Sequence, residues 1–131
     1  MQILTKKDLL EIMASLLTFE DTDLKISMKE IDVFSKNKKK LYMNTAKYSG
    51  FNATVEATKI IINNYYANQF NIGNAVSVMI HYKVKSKTPI SELMDGMRII
   101  KDEISVGADI YMGISYFDSF QKNYVEATVI L

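Results

Sequence analysis

Cysteine is missing from the 131-residue sequence, which also has one proline, one histidine and no tryptophan. Without cysteine the chain has no disulfide, no thiolate nucleophile and no cysteine ligand for zinc. This absence fits a reducing compartment, so we expect a cytoplasmic protein. A chain of this length buries roughly two thirds of the surface that its unfolded form exposes and needs no covalent staple. We therefore predict a single domain over residues 1–131.

The sequence also lacks an excess of positive or negative charge, and it lacks long apolar runs. Lys and Arg number 16 against 15 Asp and Glu, which leaves a net charge of +1. That balance favours neither nucleic acid nor an anionic membrane surface as a partner. No apolar run approaches the ~20 residues of a membrane span, so we expect no membrane insertion.

Glycine and histidine are too sparse for several common sites. The five glycines are isolated, at positions 50, 73, 96, 107 and 113, so neither common glycine-rich phosphate loop is present. His81 is the single histidine, without neighbouring zinc ligands in the sequence, and we interpret it as a polar or half-buried strand residue. A serine triad would need a serine and a carboxylate beside it in space.

What the sequence does contain is regular alternation towards its C-terminal end. Residues 108–131 form two runs in which apolar and polar side chains alternate. The apolar members are Ile110, Met112, Ile114, Val125, Ala127, Val129 and Leu131. A period of two is typical of strands. We predict two strands that pair antiparallel with each other and pack on earlier segments, because an isolated pair is barely stable.

Apolar stripes at helical spacing, and further alternating runs, fill the rest of the chain. Helices are predicted over 5–19, 27–35, 51–64 and 89–104, and strands over 41–48 and 75–84. Capping-box spacing marks two helix starts, Thr5 with Asp8 and Ser27 with Glu30. The predicted architecture is an α+β two-layer sandwich. It has a four-stranded mixed sheet in the order β-α-β-α-β-β with helices on one face, preceded by the end of a core helix and a short helix.

Three polar or aromatic groups leave alternatives open. The acidic residues 20–23 fit a solvated turn better than a calcium loop, which needs more oxygen ligands. The lysine-rich run 36–40 is interpreted as an exposed connector, with phosphate or lipid contact as the alternative. The aromatic residues at 65, 66 and 70 are expected to pack over a helix end, with base stacking as the alternative.

The order of elements, and several residues at matching spacing, resemble the C-terminal domain of the bacterial cell-division GTPase FtsZ, of the tubulin superfamily. Residues 108–113 and 124–130 are similar to the family's final two strands, and residues 75–80 to its preceding central strand. Ser49-Gly50 matches the family's Ser-Gly turn. The resemblance makes residues 1–24 the tail of an interdomain core helix with its loop, and residues 25–131 the sandwich.

The resemblance also implies a role for the loop before the second helix. In the family this loop reads Asn-x-Asp-Phe-Ala-Asp-Val and enters the nucleotide site of the next filament subunit, where its acids help to position the water and cation that hydrolyse GTP. The matching interface loop here is Lys25, Ile26, Ser27, Met28, Lys29 and Glu30. Glu30 keeps an acid and is the expected catalytic residue, assisting a neighbouring subunit, while Ser27 replaces the first Asp. The alternative is that both residues only form the capping box.

The same resemblance sets the expected function. The family's GTP-binding domain has no counterpart in these residues, so GTP hydrolysis is not expected from this chain alone and GTP and Mg are expected only with such a domain. We expect an assembly module of a tubulin-like filament in cell division, with an FtsZ/tubulin-like subunit or a second copy of the chain as its partner. The alternatives are a regulatory or scaffold module that binds another protein without GTPase activity, and a small enzyme on a similar sandwich.

Overall fold

The computed structural model describes residues 1–17, 26–36 and 38–131, and the side chains of all of these except 15–17. The strands are β1 (Gln2–Leu4), β2 (Leu41–Ser49), β3 (Ser77–Lys85), β4 (Asp109–Phe117) and β5 (Tyr124–Ile130). The helices are α1 (Lys6–Leu17), α2 (Met28–Ser35), α3 (Ala53–Ala67) and α4 (Ile90–Glu103), with a 3-10 turn at Ile72–Asn74. The end of the first predicted helix and the acidic turn 20–23 lie outside the described residues.

The strands form one mixed sheet in the order β1-β2-β5-β3-β4. Only β3 and β4 are parallel, and every other neighbouring pair is antiparallel. The predicted α+β class and mixed sheet are confirmed. Over the described residues the sheet has five strands rather than four, because the three residues of β1 pair with the start of β2. Three residues are too short a run to show a period in the sequence.

The last two strands do not pair with each other, so that part of the prediction is wrong. β3 lies between them, parallel to β4 and antiparallel to β5. The connection from Phe117 to Tyr124 only has to cross two strand spacings, about 10 Å, and an extended chain covers about 3.3 Å per residue. β3 suits the inner place because it carries large apolar residues on both faces, Val78 and Ile80 on one and Met79 on the other.

One face of the sheet carries the larger core, beneath α3 and α4. Alternate residues of β3 and β5 point into it and meet the apolar sides of both helices. The fully buried members include Val78, Ile80, Val129, Ala57, Ile61, Leu93 and Ile100. The prediction placed the helices on one face of the sheet, which holds for α3 and α4.

The opposite face is covered at one end by α1 and α2. Met79 and Ile130, which alternate with the residues of the larger core, join a second buried cluster with both helices. The remaining members of that cluster are Leu4, Leu9, Met13, Ile26, Ile31, Phe34 and Leu41. Thr5 and Asp8 cap α1 reciprocally, each backbone N–H donating to the other's side chain at 2.9 and 3.2 Å. The first segments therefore make a third, partial layer against the sheet.

The predicted loop from residue 65 begins later than expected. α3 continues through Ala67, and Tyr65 is fully buried with its hydroxyl 2.7 Å from the Tyr42 carbonyl oxygen and 2.8 Å from that of Val129. Phe70 packs against Tyr65 and Tyr42. The expected packing role of these aromatics is confirmed for Tyr65 and Phe70. Tyr66 is 46 % exposed and donates a hydrogen bond to Glu103 at 2.5 Å.

A buried hydroxyl network joins α3, α4 and β3 beside Gly96. The Tyr82 and Thr58 hydroxyl oxygens are 2.7 Å apart, the Thr58 hydroxyl donates to the Thr54 carbonyl at 2.6 Å, and the Thr54 hydroxyl donates to the Glu92 carbonyl at 2.6 Å. A Cβ at Gly96 would lie 2.7 Å from the Tyr82 hydroxyl oxygen and 3.1 Å from Thr54. The glycine therefore allows α4 to approach this network.

Replacing Gly96 by Ala tests how tightly that network is packed. Alanine favours a helix interior by about 1 kcal/mol over glycine, whereas overpacking a core costs about 1–3 kcal/mol. Because the nearest atom would be only 2.7 Å from the new Cβ, we expect the overpacking cost to exceed the gain in helix propensity. The free energy of unfolding measured in urea titrations should therefore fall. The same substitution in a Tyr82→Phe background should cost less, since the hydroxyl is gone. A more stable Gly96→Ala protein would contradict this packing.

Candidate functional site

The predicted interface loop is anchored to the sheet by Ile26. Ile26 is 1 % exposed. Its Cγ1 and Cδ1 atoms lie 3.2 and 3.3 Å from the point where a Cβ would stand on Gly113, in the middle of β4. His81 Cδ2 lies 3.0 Å from the same point. Any side chain at position 113 would push Ile26 or His81 away, so the glycine is what allows the loop to close on the sheet.

α2 continues that attachment after the loop. Ile31 and Phe34 are buried, 0 and 1 % exposed, on the side of the helix that meets the sheet. The Phe34 ring packs edge-on against Tyr111, two residues before Gly113 on β4, with ring centroids 5.9 Å apart. Strand β4 therefore positions both the start and the end of α2.

The first turn of α2 is closed by the predicted capping box. The Glu30 backbone N–H donates to the Ser27 hydroxyl oxygen at 3.1 Å, and the Ser27 backbone N–H donates to Glu30 Oε1 at 3.1 Å. Two backbone donors that the helix start would leave unpaired are thus satisfied. The second carboxylate oxygen of Glu30 has no described partner, and its charge lies at the positive end of the helix dipole.

The outer side of the loop faces solvent. Met28 is 56 % exposed, and Ser27 and Lys29 are also exposed, while Glu30 is half-exposed. Lys25 lies outside the described residues. The structure thus brings Ser27 and Glu30 together in one hydrogen-bonded unit, buries Ile26 beneath it and leaves Met28 and Lys29 on the surface. The catalytic role expected of Glu30 and Ser27 stays a prediction.

His81 and Ser115 form a buried pair that the sequence did not reveal. His81 Nε2 and the Ser115 hydroxyl oxygen are 3.0 Å apart, and the two residues are 3 and 0 % exposed. His81 is thus more deeply buried than the half-buried strand residue we expected. Burial, with a smaller effect of Lys83, lowers the pKa of His81 to about 4, so the ring is neutral at pH 7. Ser115 offers no surface to a substrate, and His81 Nδ1 has no hydrogen-bond partner among the described residues.

The feature that relates His81 to Ser115 is the register between strands β3 and β4. His81 lies opposite Gly113 in the parallel β3–β4 ladder, and Ser115 is two residues further along, on the same face. Pairing of β3 with β4 would have to be known first, and we predicted β4 to pair with β5.

The described ranges are residues 1–17, 26–36 and 38–131. No group of three or more His, Cys, Asp or Glu side chains there could hold a metal ion. Across the same ranges no helix is both long and apolar enough to cross a membrane.

The chain is similar to known proteins in its fold and not in its sequence. By sequence, no protein-family model and no curated protein matches the chain. By structure, it is similar to an empty FtsZ dimer from M. jannaschii, with TM-score 0.73 and 14 % identity over 85 % of this chain and 32 % of the other. It is also similar to a single-residue mutant of FtsZ from M. jannaschii, with TM-score 0.75 and 16 % identity over 95 % of this chain and 38 % of the other.

The fold is therefore that of an FtsZ-like C-terminal domain, as the resemblance implied. At these identities the likeness concerns the fold alone. The chain spans about a third of the length of the FtsZ structures that it matches.

Substitutions at Glu30 separate capping from charge. Glu30→Gln keeps the capping hydrogen bond, because glutamine also serves in capping boxes, and removes the carboxylate charge. Glu30→Ala removes both. We expect Glu30→Ala to lower the free energy of unfolding by about 1 kcal/mol and Glu30→Gln by less than half of that, measured by urea denaturation. Equal losses in the two variants would contradict a capping role for the side chain.

The buried His81 makes stability depend on pH. In the unfolded chain a histidine binds a proton with a pKa near 6.5, whereas folded His81 does so only at about 4. The unfolded state therefore holds more protons between these values, and stability is complete above pH 6.5 and falls as the pH drops towards 4. The contribution is about 3 kcal/mol over that window.

Urea denaturation at pH 5, 6 and 7 measures this effect. These pH values lie above the usual pKa values of carboxyl groups, so carboxyl titration contributes little to the change. We expect the wild-type protein to lose stability between pH 7 and 5, and the His81→Gln protein to lose much less. Parallel pH profiles for the two proteins would show that His81 does not change its protonation on unfolding.

Proposed function

We propose that this chain is the assembly domain of a tubulin-like filament subunit, and that it contacts the nucleotide face of a neighbouring subunit through the loop 25–30. In the proposed role the chain supplies the contact, and GTP and Mg are held by a nucleotide-binding domain of the neighbouring subunit. Cell division in the cytoplasm is the proposed setting, in keeping with the resemblance. The observation that carries the proposal is the solvent-facing side of an anchored loop on an FtsZ-like fold.

The geometry of the described part of the loop supports an interface. A surface that binds a partner loses less entropy when it is already ordered. Here the capping box orders the first turn of α2, and Ile26 holds that turn against β4. Met28 is a large apolar side chain 56 % exposed beside Lys29, and methionine adapts well to a partner surface.

The matched structures support association between subunits. One of the two similar FtsZ structures is a dimer. We propose an FtsZ/tubulin-like subunit or a second copy of this chain as the partner.

Glu30 is the proposed link to catalysis. Glu30 is the single acidic residue among residues 26–30. Its Oε1 atom accepts the capping hydrogen bond, and the capping box does not use its second carboxylate oxygen. We propose that this oxygen orders a water or a cation at the neighbouring nucleotide. A fall in stimulated GTP hydrolysis in Glu30→Gln, without loss of binding, would support that role.

A second function is favoured by the same residues. Ser27 stands where the family has an acid, and a hydroxyl does not supply the charge that a carboxylate places beside a metal-bound water. Both Ser27 and Glu30 are also engaged in the capping box. A regulatory or scaffold module would bind the same kind of partner, or another division protein, without stimulating GTP hydrolysis.

Two exposed apolar residues of α2 give a matched test of the interface. Met28 lies in the proposed contact and is 56 % exposed, whereas Val33 lies outside it and is 53 % exposed. We expect Met28→Asp to weaken binding to an FtsZ-type nucleotide-binding domain with GTP by about tenfold, and Val33→Asp by less than about twofold, in analytical sedimentation.

Two outcomes would count against the proposed contact. One is an equal effect of the two substitutions. The other is no association of the wild-type chain at tens of micromolar, with or without GTP.

A further inference from the structure

A cavity of about 240 Å³ opens at the end of the sheet where β2 begins and β5 ends. Its walls come from the connection between α2 and β2, the start of β2, the connection between α3 and β3, and Leu131 after β5. The lining residues are Lys38, Lys40, Tyr42, Phe70, Asn71, Asn74, Ala75, Val76 and Leu131. It lies beyond the C-terminal end of α2, whereas the loop proposed above lies at the N-terminal end, about 12 Å away along the helix.

The inner surface of this cavity, called the recess below, is apolar and aromatic. Tyr42 and Phe70 pack against each other, with ring centroids 4.8 Å apart, and Leu131 is buried. Val76 is 74 % exposed at the rim. An exposed aliphatic side chain next to a half-open apolar cavity fits an apolar side chain of a partner.

The rim is basic, and its charge is not neutralised by the described residues. The Lys38 ammonium is half-buried, 3.4 Å from the Ser77 carbonyl oxygen and 4.2 Å from the centroid of the Phe34 ring. Burial lowers the pKa of Lys38. No carboxylate of the described residues lies within 4.0 Å of Lys38 or Lys40, and the described lining contains no Asp or Glu.

A partly buried cation without an acidic partner is costly, and a carboxylate brought by a ligand would offset that cost. Asn71 adds a donor at the same rim, because its Oδ1 already accepts from the Gly73 backbone N–H at 3.0 Å and its amide N–H groups remain. The surroundings of the cavity thus combine one apolar recess with several donors and no Asp or Glu side chain among the lining residues.

From this complementarity we infer that the cavity binds an acidic peptide segment of a partner protein, with an apolar side chain in the recess and flanking carboxylates on Lys38 and Lys40. A peptide is favoured over a nucleic acid because the recess is lined by aliphatic and aromatic side chains. This inference does not rest on the proposed filament contact.

Blocked heptapeptides give a direct test. The first probe has a central phenylalanine with three glutamates on each side, the second replaces the phenylalanine by glycine, and the third replaces the glutamates by glutamines. We expect the first peptide to bind the full chain with a Kd on the order of 100 µM in isothermal titration calorimetry. Each of the other two should bind at least about fivefold more weakly, because recess and rim both contribute.

Neighbouring lysines provide the control for charge alone. Lys40 lines the cavity, and Lys39 is exposed beside it without lining it. Lys40→Glu should weaken binding of the first peptide about fivefold or more, whereas Lys39→Glu should weaken it less than about twofold. Lys38→Met keeps the packing on Phe34 and should also weaken binding. Unchanged circular dichroism and thermal midpoints of the variants establish that they are folded.

Four results would overturn the inference. They are no binding of the first peptide at 1 mM, equal binding of the glycine peptide, equal effects of Lys39→Glu and Lys40→Glu, and complete competition by a single-stranded oligonucleotide at equal charge.

Discussion

The contact between Ile26 and the bare backbone of Gly113 is the constraint on which the candidate site depends. A Cβ at position 113 would meet Ile26 at 3.2 Å and His81 at 3.0 Å, so strand β4 accepts the loop only because it lacks a side chain there. With Ile26 seated, Ile31 and Phe34 can bury the inner side of α2. The capping box then forms on the outer side. A short helix of eight residues would be marginal by itself, and it is this attachment to the sheet that holds it.

Local patterns predicted the elements well, because period and capping are local properties. The 3.6-residue stripes gave α3 and α4, and the spacing of Ser27 and Glu30 gave the start of α2 to within one residue. Strand pairing, in contrast, is not a local property of the sequence. The alternation of β4 and β5 says which residues share a face, but not which strand lies beside which. β3 suits the place between them because it carries large apolar residues on both faces, and a hairpin of β4 and β5 would have left it at the edge of the sheet.

The candidate site likewise has some features that local sequence predicts and others that depend on distant contacts. Ser27 and Glu30 were predictable because their hydrogen bonds span three residues. The pair of His81 with Ser115, and the half-buried ammonium of Lys38, depend on contacts 34 and 39 residues apart in the sequence. The lysine-rich run 36–40 was interpreted as an exposed connector. Lys36, Lys39 and Lys40 are exposed as expected, but Lys38 packs over Phe34 at the edge of a cavity. The two ends of α2 therefore differ in chemistry, with a capped acidic start and a basic end whose Lys38 and Lys40 form no ion pair with the described residues.

Nuclear Overhauser effects from the Ile26 methyl groups test the central contact most directly. In a sample with labelled isoleucine methyl groups, the account predicts strong effects from the Ile26 δ1 methyl to the Gly113 α-protons and to the His81 ring proton on Cδ2, because all three groups meet around one point. The absence of both effects, with the Phe34–Tyr111 contact still present, would mean that the loop is not seated on β4 and would contradict the account.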